Sequence, residues 1–283
     1  MSPEATMAHH ARSFAPAARM LSQPDRARVA RLYVLCRTID DIADEIGGDL
    51  GRAELETLHA DLERSDTTSL LAVEGRALFK GRPDGMDALR QLVAAAAADT
   101  GRTCLTNCDA LDIYCMGVAG TVGVMICALF DIDPRWHRAA GDLGKAMQLT
   151  NICRDVAEDA RVGRRYLPFS QCPHSPEAIA AGAPDAIAAA TASMAYLLDR
   201  ADELYRSGRH GLVALPIRLR LAVASATAMY AGIGTELRRR DYAPLKGRAV
   251  VPVDRKVRLV VAALVRETTQ TLKSEGASAH VRT

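Results

Sequence analysis

The chain has 283 residues, 49% of them hydrophobic and 25% charged, the proportions of a globular protein with enough chain to bury a sizeable interior. Its 36 Lys and Arg against 34 Asp and Glu give a net charge of +2, and the basic residues are spread out, which excludes a nucleic-acid footprint and leaves any anionic ligand to be met locally. Seven cysteines without framework spacing fit a reducing compartment, so the cytoplasm is expected and a secreted disulfide scaffold is not.

At the N-terminus, His9, His10 and Arg12 fall where a signal peptide needs an apolar run, and export is not expected. Beyond it, apolar residues recur at three- and four-residue steps and no stretch alternates with a period of two, which predicts an all-α protein. After a short first helix, the periodicity predicts helices over 24–46, 52–64, 69–80, 85–99, 108–130, 135–161, 185–207, 213–241 and 255–273. Breaks such as Gly47-Gly48-Asp49, Gly81-Arg82-Pro83-Asp84, Asp131-Ile132-Asp133-Pro134 and Gly182-Ala183-Pro184-Asp185 carry stop and start chemistry. With no linker and no repeat, 1–283 reads as one helical bundle.

In 24–46, the stripe Leu32, Leu35, Ile39, Ile42 and Ile46 is the expected buried face. Asp40 and Asp44, four residues apart, share another side with Cys36 and Ala43. Like charges so placed repel by ~0.2–0.5 kcal/mol, and a solvated acidic patch with Asp41 and Glu45 is the plain reading. Cys104 and Cys108 lack a nearby His and read as core or helix-start residues, not zinc ligands. The uncharged stretch 113–130 nears the length of a bilayer span. It is expected to be internal, because Gly117, Gly120 and Gly123 leave one face bare for something to approach closely.

The helix over 135–161 repeats the acidic device. Asp155 and Asp159 are four apart, and Gln148 and Asn151 continue their polar stripe. A salt-bridged surface with Arg154, Arg161, Arg164 and Arg165 explains the charges but not Gln148 and Asn151 among Met147, Leu149, Thr150 and Ile152. Two such pairs facing one another could hold magnesium, which uses few carboxylates and completes its shell with water and phosphate oxygens. Arg37 and Arg154, beside the pairs, suit a diphosphate, and the bare glycine face suits a long apolar chain attached to it.

These residues carry a resemblance. Tyr33-Val34-Leu35-Cys36-Arg37-Thr38-Ile39-Asp40-Asp41-Ile42-Ala43-Asp44-Glu45 resembles the first aspartate motif of the squalene and phytoene synthases. Asn151-Ile152-Cys153-Arg154-Asp155-Val156-Ala157-Glu158-Asp159 with Gly163-Arg164-Arg165-Tyr166-Leu167-Pro168 is similar to the second. Tyr114-Cys115 with Val118-Ala119-Gly120-Thr121-Val122-Gly123 resembles the segment between them, and His10, Ser13 and Phe14 resemble the N-terminal helix. The match runs on through Tyr230 to Arg248 and so covers nearly the whole chain.

The resemblance implies a bundle of the isoprenoid synthase type with a central apolar cavity, joining two prenyl diphosphates head to head. It implies that Asp40, Asp44, Asp155 and Asp159, with Asn151, bind magnesium, or manganese in its place. Arg37, Arg154 and, through a one-residue insertion after Tyr242, Arg248 would hold phosphate oxygens. Tyr33, Tyr114, Gln148, Asn151 and Tyr230 would line the pocket, Tyr114 close to the chemistry; core packing is the competing reading for the tyrosines. His10, Ser13 and Phe14 would touch substrate. Ala18 and Ala30 would leave the tunnel long enough for a twenty-carbon chain, favouring phytoene over a thirty-carbon product from fifteen-carbon substrates.

No nicotinamide cofactor is expected; a requirement for one would mark a reductive squalene synthase. No C-terminal anchor is expected in the polar segment 274–283. Expected partners are the prenyl diphosphates, a membrane touched transiently because the product is a lipid, and the next enzyme of the pathway. A scaffold relative without chemistry would lose metal ligands, whereas all four aspartates and both flanking arginines are present.

Overall fold

The computed structural model describes residues 2–10, 15–101 and 103–280, without the side chains of 10, 15, 16 and 270–280. A short α1 (Pro3–His10) and α2 (Ala15–Ala18) lead to α3 (Gln23–Asp41). Ser22 caps α3 by accepting the Asp25 N–H, and a proline sits in its first turn, where a missing N–H costs nothing. α4 (Gly48–Glu63), α5 (Leu70–Leu78) and α6 (Pro83–Ala98) follow. Next come α7 (Cys108–Cys115), α8 (Thr121–Leu129) and α9 (His137–Arg161). α10 (Pro176–Ala180), α11 (Pro184–Gly211), α12 (Ile217–Arg239) and α13 (Val253–His280) complete the chain. The described residues hold no strand beyond one isolated bridge between Cys104 and Arg165. The periodicity did not reveal α10, which is too short to complete a repeat.

Two hydrophobic cores meet along α3. Its Val29 and Ala30 join α9, α11 and α12 in one; its Leu32, Leu35 and Ile39 join α4, α5, α6 and α8 in the other. Two helices predicted as continuous are widened by π turns, at Ile42–Ile46 after α3 and at Met116–Gly120 between α7 and α8. The first corrects the expected stripe. Gly47 donates its N–H to the Ile42 carbonyl five residues back and turns the chain at φ +60°, so Ile46 swings off the buried face and is 49% exposed.

The glycine face is a second correction, because it is filled by a helix and does not lie open to a prenyl chain. A Cβ on Gly123 would overlap the Ala140 carbonyl of α9, one on Gly120 would crowd Gly141, and one on Gly144 would overlap the Ala119 carbonyl. Gly117 lies in the same way against Ala95 of α6. The backbones of α8 and α9 thus cross at a spacing only glycine permits. Among the described residues, Cys108–Leu129 is the one helix long and apolar enough to cross a membrane; it packs instead between α6 and α9. Cys108 opens α7, whereas Cys104 is exposed and not a core residue.

Candidate active site

On α9, Leu149, Thr150, Ile152, Cys153, Val156, Ala157 and Ala160 are buried, while Gln148, Asn151, Asp155 and Asp159 form a half-buried stripe, as the 3.6-residue period requires. Gly163 then turns the chain at φ +78°, and the Arg164 N–H bonds back to the Asp159 carbonyl at 2.9 Å. That turn sends the Arg164 guanidinium across to Asp44, 120 residues away, in an ion pair. The Arg164 charge also reaches Asp159, where it opposes the rise that burial and Asp155 impose. One guanidinium therefore lies between the two carboxylate pairs, which face each other.

Asp40 keeps open surface, yet its carboxyl is pushed up to about 7, by desolvation first and then by the Asp44 charge. Its carboxyl is thus both in contact with solvent and crowded by protein. Asp159 is likewise raised to about 7, by desolvation first and then by Asp155. Asp155 is gripped twice: Arg154 donates from Nε at 2.7 Å and Arg248 from Nε at 2.9 Å. Arg37 pairs with Asp41 at 2.7 Å rather than with Asp40 or Asp44, and its buried Nε has no partner.

Asp99 and Thr103, which the sequence did not single out, join Tyr166 of the second motif at the centre. Asp99, the residue after α6, accepts hydrogen bonds from the hydroxyls of Tyr114 and Tyr166, each at 2.9 Å, and from Thr103. The two tyrosine rings stack with centroids 5.0 Å apart. Asp99 is raised by desolvation against those hydrogen bonds, and its charge in turn raises Asp40 and Asp159. The Asp99 charge thus reaches a member of each acidic pair. Arg165 fixes the loop that carries Tyr166: its backbone N–H bonds to the Thr103 carbonyl at 2.9 Å and its guanidinium to the His174 carbonyl at 2.7 Å.

Tyr33 is raised by burial and feels Arg37, Tyr230, Asp41 and Asp40, so the tyrosines of α3 and α12 converge near the first pair. Tyr230 also lies within the field of Arg154. Ala18 and Ala30, 1% and 0% exposed, share one core. His10 closes α1, its side chain lying outside the described residues together with Ser13 and Phe14.

A match to the squalene/phytoene synthase family model spans residues 7–257. The chain belongs to the squalene/phytoene synthase family. It is 33% identical over 279 residues to a phytoene synthase of Pseudescherichia vulneris, covering 91% of this chain and 88% of that one. It is 35% identical to a phytoene synthase of Cereibacter sphaeroides, covering 84% and 71%. Among solved structures, a dehydrosqualene synthase in complex with a ligand superposes with a TM-score of 0.81 at 25% identity, covering 96% of this chain and 95% of that one. The isoprenoid synthase fold of this family is the fold described above.

Whether these side chains suit a metal is decided on α9. The Asn151 Oδ1 is buried without a hydrogen-bond partner, a costly state for an amide oxygen, and it lies one turn from Asp155. An orphaned oxygen beside two carboxylates is a hard donor set that fits magnesium or manganese. Among the described residues no three carboxylate, His or Cys side chains converge into a metal cage.

Proposed function

We propose that this protein condenses two molecules of geranylgeranyl diphosphate head to head into phytoene, through a cyclopropyl diphosphate, with magnesium or manganese and without a nicotinamide cofactor. The observation that carries the reading is the reach of Arg164 from the end of α9 to Asp44, which draws the helix of the second carboxylate pair to the first. Asp40, Asp44, Asp155 and Asp159, with the Asn151 Oδ1, would hold the divalent ions. When bound, these ions supply Lewis acidity that draws charge from a leaving diphosphate.

The remaining work falls to the chain. Arg37, Arg154 and Arg248 stand ready to exchange a carboxylate for phosphate oxygens, which accept the same paired N–H donors. Departure of the first diphosphate takes the C–O electron pair with it and leaves an allylic cation. The double bond of the second substrate attacks that cation, and loss of a proton closes the cyclopropane. Departure of the second diphosphate, rearrangement and a second proton loss give the hydrocarbon. The released diphosphate, retained by the arginines, is the base. Tyr33 and Tyr230 offer negative ring faces to the cations, and exclusion of water keeps them from being quenched. Seven free thiols support a reducing, cytoplasmic setting.

The fifteen-carbon reading is supported by the superposition on a dehydrosqualene synthase. One experiment separates the two: purified protein and magnesium are given geranylgeranyl or farnesyl diphosphate, and the extracted product is identified by mass. Forty-carbon phytoene formed without reduced nicotinamide is expected. A thirty-carbon product formed in preference would overturn the choice of substrate.

A further inference from the structure

The four aspartates of the two motifs do not stand alike. Asp155 is held by Arg154, its neighbour in sequence, and by Arg248. Asp44 is held by Arg164. Among the described residues no ion pair reaches Asp40 or Asp159, since Arg37 and Arg161, on the same two helices, are paired to Asp41 and Glu158. Of these contacts, the one between Arg164 and Asp44 runs from one motif to the other, and it puts an arginine on a carboxylate that the metal would need.

The Arg164 side chain is 18% exposed against 60% for Asp44, so a largely buried guanidinium reaches out to a carboxylate in contact with solvent. It also lies in the field of Asp99 and Asp159. A divalent ion that takes Asp44 competes with this cation for the same oxygens and repels it, and a buried guanidinium left without an acceptor is costly. Asp99 offers little in exchange, because it already accepts from Thr103, Tyr114 and Tyr166. Phosphate oxygens would serve, since they accept the same forked N–H donors as a carboxylate.

We propose that Arg164 couples metal binding to diphosphate binding: it holds Asp44 until phosphate oxygens give the guanidinium another acceptor, so that metal alone binds weakly and metal with diphosphate binds tightly. By linkage, metal must then tighten diphosphate by the same factor. Because Asp44 is more than half exposed, the pair is weak enough to yield, and its effect on an equilibrium is about fivefold. The coupling deepens the metal and diphosphate reading of this site and rests on it.

Manganese binding to the purified full chain is followed by electron paramagnetic resonance, alone and with inorganic diphosphate, after correction for the soluble manganese diphosphate complex. In the unmodified chain, diphosphate should tighten manganese. Arg164→Gln should bind manganese alone about fivefold more tightly and lose about fivefold of the tightening that diphosphate brings, with helical circular dichroism unchanged. Arg164→Lys, which keeps the charge, should bind manganese alone as the unmodified chain does. A purely structural arginine would not make metal bind better when removed. The proposal is overturned if diphosphate does not tighten manganese in the unmodified chain, if Arg164→Gln binds manganese alone no more tightly, or if Arg164→Lys tightens it as much as Arg164→Gln does. Each of these results would leave the metal site standing. Absence of manganese binding with and without diphosphate would instead refute the metal reading and the coupling together, and a thirty-carbon product would leave both standing.

Discussion

A carboxylate just past a helix C-terminus faces the negative end of the helix dipole, and Asp99 holds that place with three hydroxyls donating to it. The arrangement fixes Tyr114 and Tyr166 at the junction of the two acidic pairs, so Asp99 acts on the chemistry by positioning rings. Asp99→Asn keeps the shape but loses charge-assisted acceptance, each such bond being worth about 1.5 to 3 kcal/mol. Steady-state kinetics should show kcat lower by about tenfold to a hundredfold with KM little changed; an unchanged kcat would reduce Asp99 to a structural anchor. In the sequence, Asp40, Asp44, Asp155 and Asp159 were legible because each pair repeats at a four-residue step beside an arginine. Asp99 has no such partner in sequence, and its hydroxyls come from residues 4, 15 and 67 positions away. The one available hint was an acidic residue ending an alanine-rich helix, against the dipole. Arg164 was legible as a charge, but its turn at Gly163 was not, so it read as surface.

At the scale of elements, the crossing of α8 and α9 sets where Gln148, Asn151, Asp155 and Asp159 stand. Gly144→Ala places a methyl against the Ala119 carbonyl, and the helices must part. Overpacking of this kind costs about 1 to 3 kcal/mol, which a chemical denaturation midpoint should register, together with a fall in kcat although no site residue has changed. An unaltered midpoint would mean that the crossing is looser than its backbone contacts indicate. The glycine period at 117, 120 and 123 showed in the sequence that something approaches closely. Periodicity cannot tell a prenyl chain from another helix, because both need the same absent side chains. The π turns at Ile42–Ile46 and Met116–Gly120 were illegible for a related reason: one extra residue in a turn leaves the apolar rows on either side intact. They sit where helices bend around the site, as such turns often do.

In the whole molecule, the two acidic pairs give the metal-free protein a pH dependence whose sign is fixed. Asp40 and Asp159 titrate near 7 in the fold against an ordinary value of 3.8, so between about pH 4 and pH 7 the native state binds more protons than the unfolded chain. Stability then falls as pH rises through that window. With chelator present, the Tm difference between about pH 5 and pH 8 should be smaller in Asp159→Asn than in the unmodified chain; an equal difference would contradict the raised pKa. Substrate chain length is also expected to depend on packing across the whole molecule. Ala18 and Ala30 share one core, and Ala18→Phe or Ala30→Trp should depress turnover of the twenty-carbon substrate more than that of the fifteen-carbon one, by an overpacking cost of about 1 to 3 kcal/mol. Equal loss with both substrates would remove these alanines from the determinants of length. All-α class and element order could be read from the chain; the facing of its two halves could not, because it depends on a contact between residues 44 and 164. The most direct test of the account is therefore the turnover of Asp40→Asn and Asp155→Asn, measured side by side in magnesium with circular dichroism as the check on folding. Each lies on a different half, and the account predicts that either substitution abolishes phytoene formation while leaving the helical signal intact. Near-normal turnover by either variant would contradict a single diphosphate site built from both.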